Sequence, residues 1–518
     1  MAALPKARGA LRRMAGAVLE LPTVRMFRED RLLGLATLVL SVFVLLPMFT
    51  TPILPLVDLG SHVGATGLLD EVALGRGIAP SYFEISTRVV PYWTVYAAMS
   101  LAEHVAGPFV AAKLIVGAAL ILLPLSAMRL LVAFGRSPRV GLLVFILSWD
   151  TNLYWGWITF QYGMILAIFT LAKMFEAKTF REGLWVLPLT VLVALTHVFA
   201  VALLGIAGGL FCLIKRPFWR TLGIHATALS GCLVALIPWA YKRLEGAAPA
   251  AARVRFDWHT PGHKIQHLYT YTVHNVPNGV EESGYAFAML WIAPALLCLF
   301  RARSLPREER FGPLMVVIAA AGLYFALPFA IAGPIEHWWT YPRFGTYILI
   351  ALLCLPAPRI EGRRVLALLP GLVAAVALHL AIARQFREYG KYVRPYLQIV
   401  DALPRGVTFF PLDLDDRRFK GALNPVLGQL HGYAAAAKAS YDPHLFDQQD
   451  MPLLFKKPLK LPVINWFRPT TFTMEAHGRH YDYVIVHPID RDPFPAKWMD
   501  AAELVRESGA WRLYKVKK

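Results

Sequence analysis

Charge is what this sequence has least of. Only 17% of its 518 residues are Asp, Glu, Lys or Arg and 57% are hydrophobic, whereas a soluble domain is about a quarter charged. That balance excludes an ordinary soluble chain and implies an integral membrane protein. Cysteine is also scarce. Cys212, Cys232, Cys298 and Cys354 all lie in apolar runs and none in the polar C-terminal region, which leaves no basis for a disulfide framework or a Cys-based zinc site. An H-E-x-x-H motif, a glycine-rich nucleotide loop and an internal repeat are missing too. Acidic residues are outnumbered 34 to 53, for a net charge of +19. The basic residues form short clusters between apolar runs, not one face interleaved with aromatics. They read as a topology signal, and nucleic acid is not an expected partner.

What is present is a series of apolar runs at 32–50, 108–134, 140–174, 184–214, 220–241, 285–300, 311–331, 344–356 and 364–386. A spanning helix needs about 20 residues, so 140–174 and 184–214 are each too long for one crossing. Basic residues flank both: Arg136 and Arg139 before the first, Lys178 and Arg181 after it, then Lys215, Arg216 and Arg220. These clusters fall on one side only if the runs turn at Trp149–Asn152 and near Thr196-His197. The expectation is a helical polytopic protein with about eleven membrane segments. A basic N-terminus, 1–31, lies in the cytoplasm, and the run after it is too long for a signal-peptide core. The membrane domain covers 32–386, with external loops at 51–107 and 242–284.

The 51–107 loop has two basic residues (Arg76, Arg88) and five acidic ones (Asp58, Asp70, Glu71, Glu84, Glu103). The spacing in HVGATGLLDEVALG and PYWTVYAAMSLAEHVAG predicts two amphipathic surface helices, the second behind Pro91. Asp70 and Glu71 read as solvated helix charges. Residues 387–518 change character, and GVTFFPLDL and YDYVIVHPI read as buried strands. With a helix at 499–508 and a last strand WRLYKV, they form a small extracytoplasmic α/β domain.

The candidate functional groups sit where apolar runs end. Asp58, after the first run, is either an N-cap or a general base able to take a proton from a hydroxyl. His62 follows four residues later, on the same helical face. Asp150 and Asn152 make either a turn or, with Asp58, an oxygen-ligand set for a divalent cation. His197 lies between two apolar arms. Arg343, after EHWWTYPRF, is either an interface anchor or a planar clamp for phosphate. Lys113, one turn into the second run, either snorkels or assists the site, and it stands outside the first rank of candidates. His259, His263 and His267 are spaced four apart, but Pro261 and Gly262 place His259 in a turn, so they read as a loop over a cleft and not as a metal face.

TPILPLVDLGSHVGATGLLDEVALG resembles the first external loop of membrane glycosyltransferases of the C-type superfamily (the GT-C fold). TNLYWGWITFQYGMILAIFTLA, VLVALTHVFAVALLGIAGGL and YPRFGTYILIALL resemble later parts of the same enzymes in the same order. The likeness covers about residues 30–385. A strict D-x-D is absent. The resemblance implies a glycosyltransferase of the inner membrane that takes a sugar from a polyprenyl-phosphate carrier on the extracytoplasmic face and passes it, with inversion, to an acceptor hydroxyl on a glycan, lipid or protein. It implies Asp58 as base, Arg343, His197 and His62 at the donor phosphate, and a magnesium or manganese ion at Asp58, Asp150 and Asn152. A polytopic transporter or lipid-carrier flippase, and a non-catalytic scaffold of the same fold, are the rival readings. Against transport, the charged residues cluster at one face and broken repeats are absent.

Overall fold

The structure is a computed structural model that describes residues 22–245, 254–276, 280–301, 305–332, 337–357, 360, 362–414, 419, 423–446, 451–465, 468–487 and 500–518. Among the described residues, six helical stretches are long and apolar enough to cross a membrane: Arg31–Phe49, Pro108–Ala133, Ile158–Glu176, Phe218–Tyr241, Arg307–Ala326 and Gly362–Ala402. Shorter apolar helices, Val198–Ile214 and Pro342–Leu353 among them, pack between them. The chain is an integral membrane protein.

Both over-long runs turn where the sequence suggests. The first becomes a tight helix, Pro138–Leu147, then a single turn, Thr151–Tyr154, then Ile158–Glu176. Asp150 makes the break, because its carboxylate caps Leu153 N at 3.0 Å and so satisfies an amide that the new helix leaves open. The second run divides into Phe180–Thr196 and Val198–Ile214, with His197 Nδ1 accepting from Phe199 N at 3.2 Å. The last long helix, Leu369–Ala402, does not stop at residue 386. Its extension carries Tyr389, Val393 and Tyr396 into the core beneath the C-terminal domain.

The 51–107 loop forms the two expected helices, Leu59–Ala73 and Trp93–Ala106. The first is no surface helix: His62, Val63, Thr66, Leu68 and Glu71 are all buried. Glu71 is bound by Arg405 at 2.7 Å and Arg76 at 3.2 Å, so it is not a solvated charge. The covering element is the helix His431–Lys438 of the C-terminal domain. Gly60, Gly64 and Gly67 stand at i, i+4 and i+7, which places them along one helical face. A Cβ on Gly60 would lie 1.9 Å from Gln429 O, and one on Gly432 2.0 Å from Gly60 O. The two backbones meet at a distance only glycine permits. Phe83–Ile85 adds a second tie by pairing antiparallel with Leu453–Phe455.

The C-terminal domain holds a four-stranded sheet. Phe409–Asp413 pairs parallel with Tyr483–His487, which pairs antiparallel with Trp511–Val516, and the edge strand is Ala502–Ser508. That edge corrects the helix expected at 499–508. Gly509, at φ 57°, opens a tight turn between Ser508 and Trp511, and a hairpin of that kind prevails over local helical preference.

Candidate functional site

A cavity of about 210 Å³ opens where the membrane helices end, between the 51–107 loop, the segments 155–159 and 337–343, and the C-terminal domain. Four residues singled out from the sequence, Asp58, His62, His197 and Arg343, line it together. Tyr92, Trp155, Trp157 and Trp339 supply aromatic walls, and Phe446 and Met451 arrive from the C-terminal domain.

Asp58 is positioned by backbone before side chain. Val57 N donates to Tyr154 O at 2.9 Å, and Asp58 N to Trp155 O at 3.0 Å, which laces the 51–107 loop to the turn after Asp150. Gly156 makes that approach feasible: it sits at φ 76°, and a Cβ there would come within 2.7 Å of Asp58 N. Asp58 begins the helix Leu59–Ala73, yet its side chain does not cap it. The carboxylate turns aside, and Oδ1 accepts from Gln429 Nε2 at 2.7 Å. Burial raises its pKa to about 7, with the Arg343 charge and Trp157 pulling the other way.

His62 does not bond to Asp58. Its Nδ1 lies 2.9 Å from Tyr96 Oη, and its ring packs on Phe446 with centroids 5.1 Å apart. Burial, assisted by the Arg343 charge, lowers its pKa to about 3, so it is neutral at physiological pH and meets a ligand as a dipole. His197 is held edge-on to Tyr92 and Phe160. With Nδ1 accepting from a backbone amide, its proton belongs on Nε2.

Arg343 lies over the Trp157 ring at 4.0 Å, and its Nε and Nη2 donate to Trp339 O and Trp338 O at 3.2 Å each. Burial lowers its pKa to about 10, so it stays charged. Stacking fixes the plane of the guanidinium, and the carbonyls fix its rotation. Trp339 takes φ 57°, a strained value for a bulky residue. Its ring centroid lies 4.9 Å from that of Trp155, and Trp155 and Trp157 stack at 5.7 Å. The outcome is an aromatic shelf with a fixed cation at one edge and a carboxylate facing the same space. Such a shelf suits a sugar ring, whose C–H faces pack on aromatics while its hydroxyls reach polar groups.

Asp150 and Asn152 lie elsewhere. Asp150 is fully buried, and its carboxylate is taken up by Leu153 N, by Asn152 Nδ2 at 2.7 Å and by Thr346 Oγ1 at 2.5 Å. Asn152 Nδ2 also reaches Arg343 O at 3.1 Å. Among the described residues no three His, Cys, Asp or Glu side chains are gathered as metal ligands. Of the residues named for a cation, Asp58 lines the cavity, while Asp150 and Asn152 are not in its lining and fasten the segment under Arg343. His259, His263 and His267 stack outside the cavity, where His259 Nδ1 meets Tyr341 Oη at 2.9 Å. Lys113 Nζ is tied to Thr51 O at 2.6 Å.

Sequence reasoning missed Gln429, Phe446 and Met451, which reach the site from the far end of the chain, and the tryptophan shelf. The triple glycine spacing at 60, 64 and 67 was the available signal that another backbone would sit on this loop.

No protein-family model and no curated protein matches the sequence. Solved structures do. ArnT from Cupriavidus metallidurans in the apo state aligns over 93% of this chain and 97% of its own, at 12% identity and a TM-score of 0.51. The same protein bound to undecaprenyl phosphate aligns over 94% and 98%, at 13% identity and a TM-score of 0.49. ArnT is a GT-C glycosyltransferase, and the likeness at this identity is one of architecture. The chain has the GT-C fold.

Proposed function

We propose that the protein is a membrane glycosyltransferase that moves a sugar from a polyprenyl-phosphate carrier to an acceptor hydroxyl at the extracytoplasmic face. The observation that carries this reading is the placing of Asp58 and Arg343 in the wall of one cavity beside an aromatic shelf. Transfer needs a base for the acceptor proton and a fixed positive group for the leaving phosphate, and these two side chains supply them.

Asp58 Oδ takes the proton as the acceptor oxygen attacks the anomeric carbon. The bond from that carbon to the phosphate oxygen breaks, and its electron pair leaves with the polyprenyl phosphate. Arg343 meets the charge that grows there. Attack opposite the leaving group inverts the anomeric configuration. A carboxylate with its pKa near 7 suits the work, because it is ionised enough to act and basic enough to accept. His197 Nε2–H donates to sugar or phosphate oxygens, and the neutral His62 meets them as a dipole. The absence of a glycine-rich nucleotide loop favours a lipid-borne donor over a nucleotide sugar.

The test is to incubate the purified full chain with a panel of polyprenyl-phosphate sugars and extracted envelope acceptors. Donor consumption with release of polyprenyl phosphate and an inverted product is expected. No consumption across the panel would favour a scaffold of the same fold.

A further inference from the structure

At the opposite end of the membrane helices lies a second and larger opening, a cleft of about 960 Å³. The helices Arg31–Phe49, Pro108–Ala133 and Ile158–Glu176 run between the two, so Arg31, Arg129 and Glu176 stand at the end remote from Asp58. Nineteen residues of helix put about 28 Å between the openings. The cleft is lined by six basic and three acidic side chains, and Glu309 approaches it at Gly135.

Two of its arginines are buried with donors unused. Arg129 is 6% exposed; one guanidinium nitrogen meets Glu176, while Nε and Nη1 have no hydrogen-bond partner among the described residues. Arg136 is 4% exposed; among the described residues its Nη1 and Nη2 reach only the carbonyls of Phe134 and Arg310, at 3.4 Å each, and its Nε has no partner. A buried charged donor without an acceptor is costly, so an arrangement that keeps several implies an acceptor that arrives from outside. Arg139 is not part of this surplus, because Asp30 and Ile360 O already hold it.

We propose that this cleft binds a phosphate group, and that the source is the headgroup of an anionic phospholipid. Planar guanidinium forks match phosphate oxygens two at a time. Arg31 and Lys173, more exposed, stand at the mouth. Met26, Val132 and Ile360 line the same cleft and give apolar surface against which a lipid's glycerol and first methylenes can rest. A free phosphate would make no use of those walls. The donor phosphate of the proposed reaction belongs at the other end, so this site is independent of that reading.

The test uses the purified full chain, delipidated in neutral detergent, with its thermal unfolding followed against ligand concentration. Short-chain phosphatidylglycerol should raise the midpoint saturably, and short-chain phosphatidylcholine should not. Arg129→Gln and Arg136→Gln should each raise the half-saturating concentration at least tenfold. Arg136→Gln breaks no salt bridge among the described residues, so it serves if Arg129→Gln fails to fold. Arg220→Gln, which removes an equal charge outside the cleft, should change nothing. Saturation by inorganic phosphate at the same concentrations, lost in the same variants, would support the phosphate site and overturn the lipid as its source. A response to phosphatidylglycerol that both variants retain, or no saturable response to either compound, would overturn the proposal.

Discussion

Gln429 donates from Nε2 to Asp58 Oδ1 at 2.7 Å, across 371 positions of sequence. The C-terminal domain is thereby part of the proposed site and not an appendage beside it. A hydrogen bond donated to a carboxylate favours its ionised form.

The pH dependence follows from that contact. Asp58 acts as a base only when ionised, so turnover should rise through about pH 7 and level off above it. Gln429→Ala removes a donor to the ionised form and should move the rising limb upward by about one unit. Turnover measured from pH 5 to 9 for both proteins checks this. A rising limb that stays in place would mean that Gln429 is only a packing residue.

The close contact of the two backbones predicts a sharp steric effect. Gly432→Val must push the domain helix away from the Asp58 helix, because even a Cβ would lie 2.0 Å from Gly60 O. The expected loss is about 1–3 kcal/mol or more, read as a lower thermal midpoint, together with a fall in turnover as Gln429 leaves Asp58. Gly209→Ala is the control: it lies in a helix with open space at its Cβ and should be neutral or slightly stabilising.

Arg343 separates charge from shape. Arg343→Lys keeps the positive charge but loses the fork and the stack on Trp157, so part of the activity should remain; Arg343→Ala should lose nearly all of it. Donor binding should weaken more in Ala than in Lys. Wild-type turnover in the Ala variant would reduce Arg343 to an anchor between Trp157 and the carbonyls of Trp338 and Trp339.

The orientation is tested with single cysteines in a cysteine-free background. Ser81, Ala476 and Lys178 are exposed positions. Cysteines at Ser81 and Ala476 should react with an impermeant thiol reagent in intact spheroplasts, and one at Lys178 only after lysis. The reverse pattern would place the proposed site on the cytoplasmic side.

Some of this molecule was legible in its sequence, for physical reasons. Asp58, His62, His197 and Arg343 are polar residues at the ends of apolar runs, and run ends meet at a membrane face. Charge parity located the breaks at Asp150 and His197, because crossing a bilayer with basic loops has one economical solution. Asp150 is bonded by Thr346 and Asn152, a pairing that only the packed helices reveal. The strand Ala502–Ser508 was hidden because AAELVRES is rich in helix formers, and pairing with Trp511–Val516 overrides that preference. The buried state of Leu59–Ala73 followed from His431–Lys438, which lies far away in the chain, and its one local sign was glycine at three positions of one face.

The central claim is that Asp58 takes the acceptor proton, and Asp58→Asn tests it most directly. Asn matches Asp in size and can still accept from Gln429, so folding should survive, but it cannot take a proton at neutral pH. Transfer from a polyprenyl-phosphate sugar that the wild-type protein consumes should fall by about 10²-fold or more, with the thermal midpoint nearly unchanged. Turnover close to wild type in a folded Asp58→Asn protein would contradict the account.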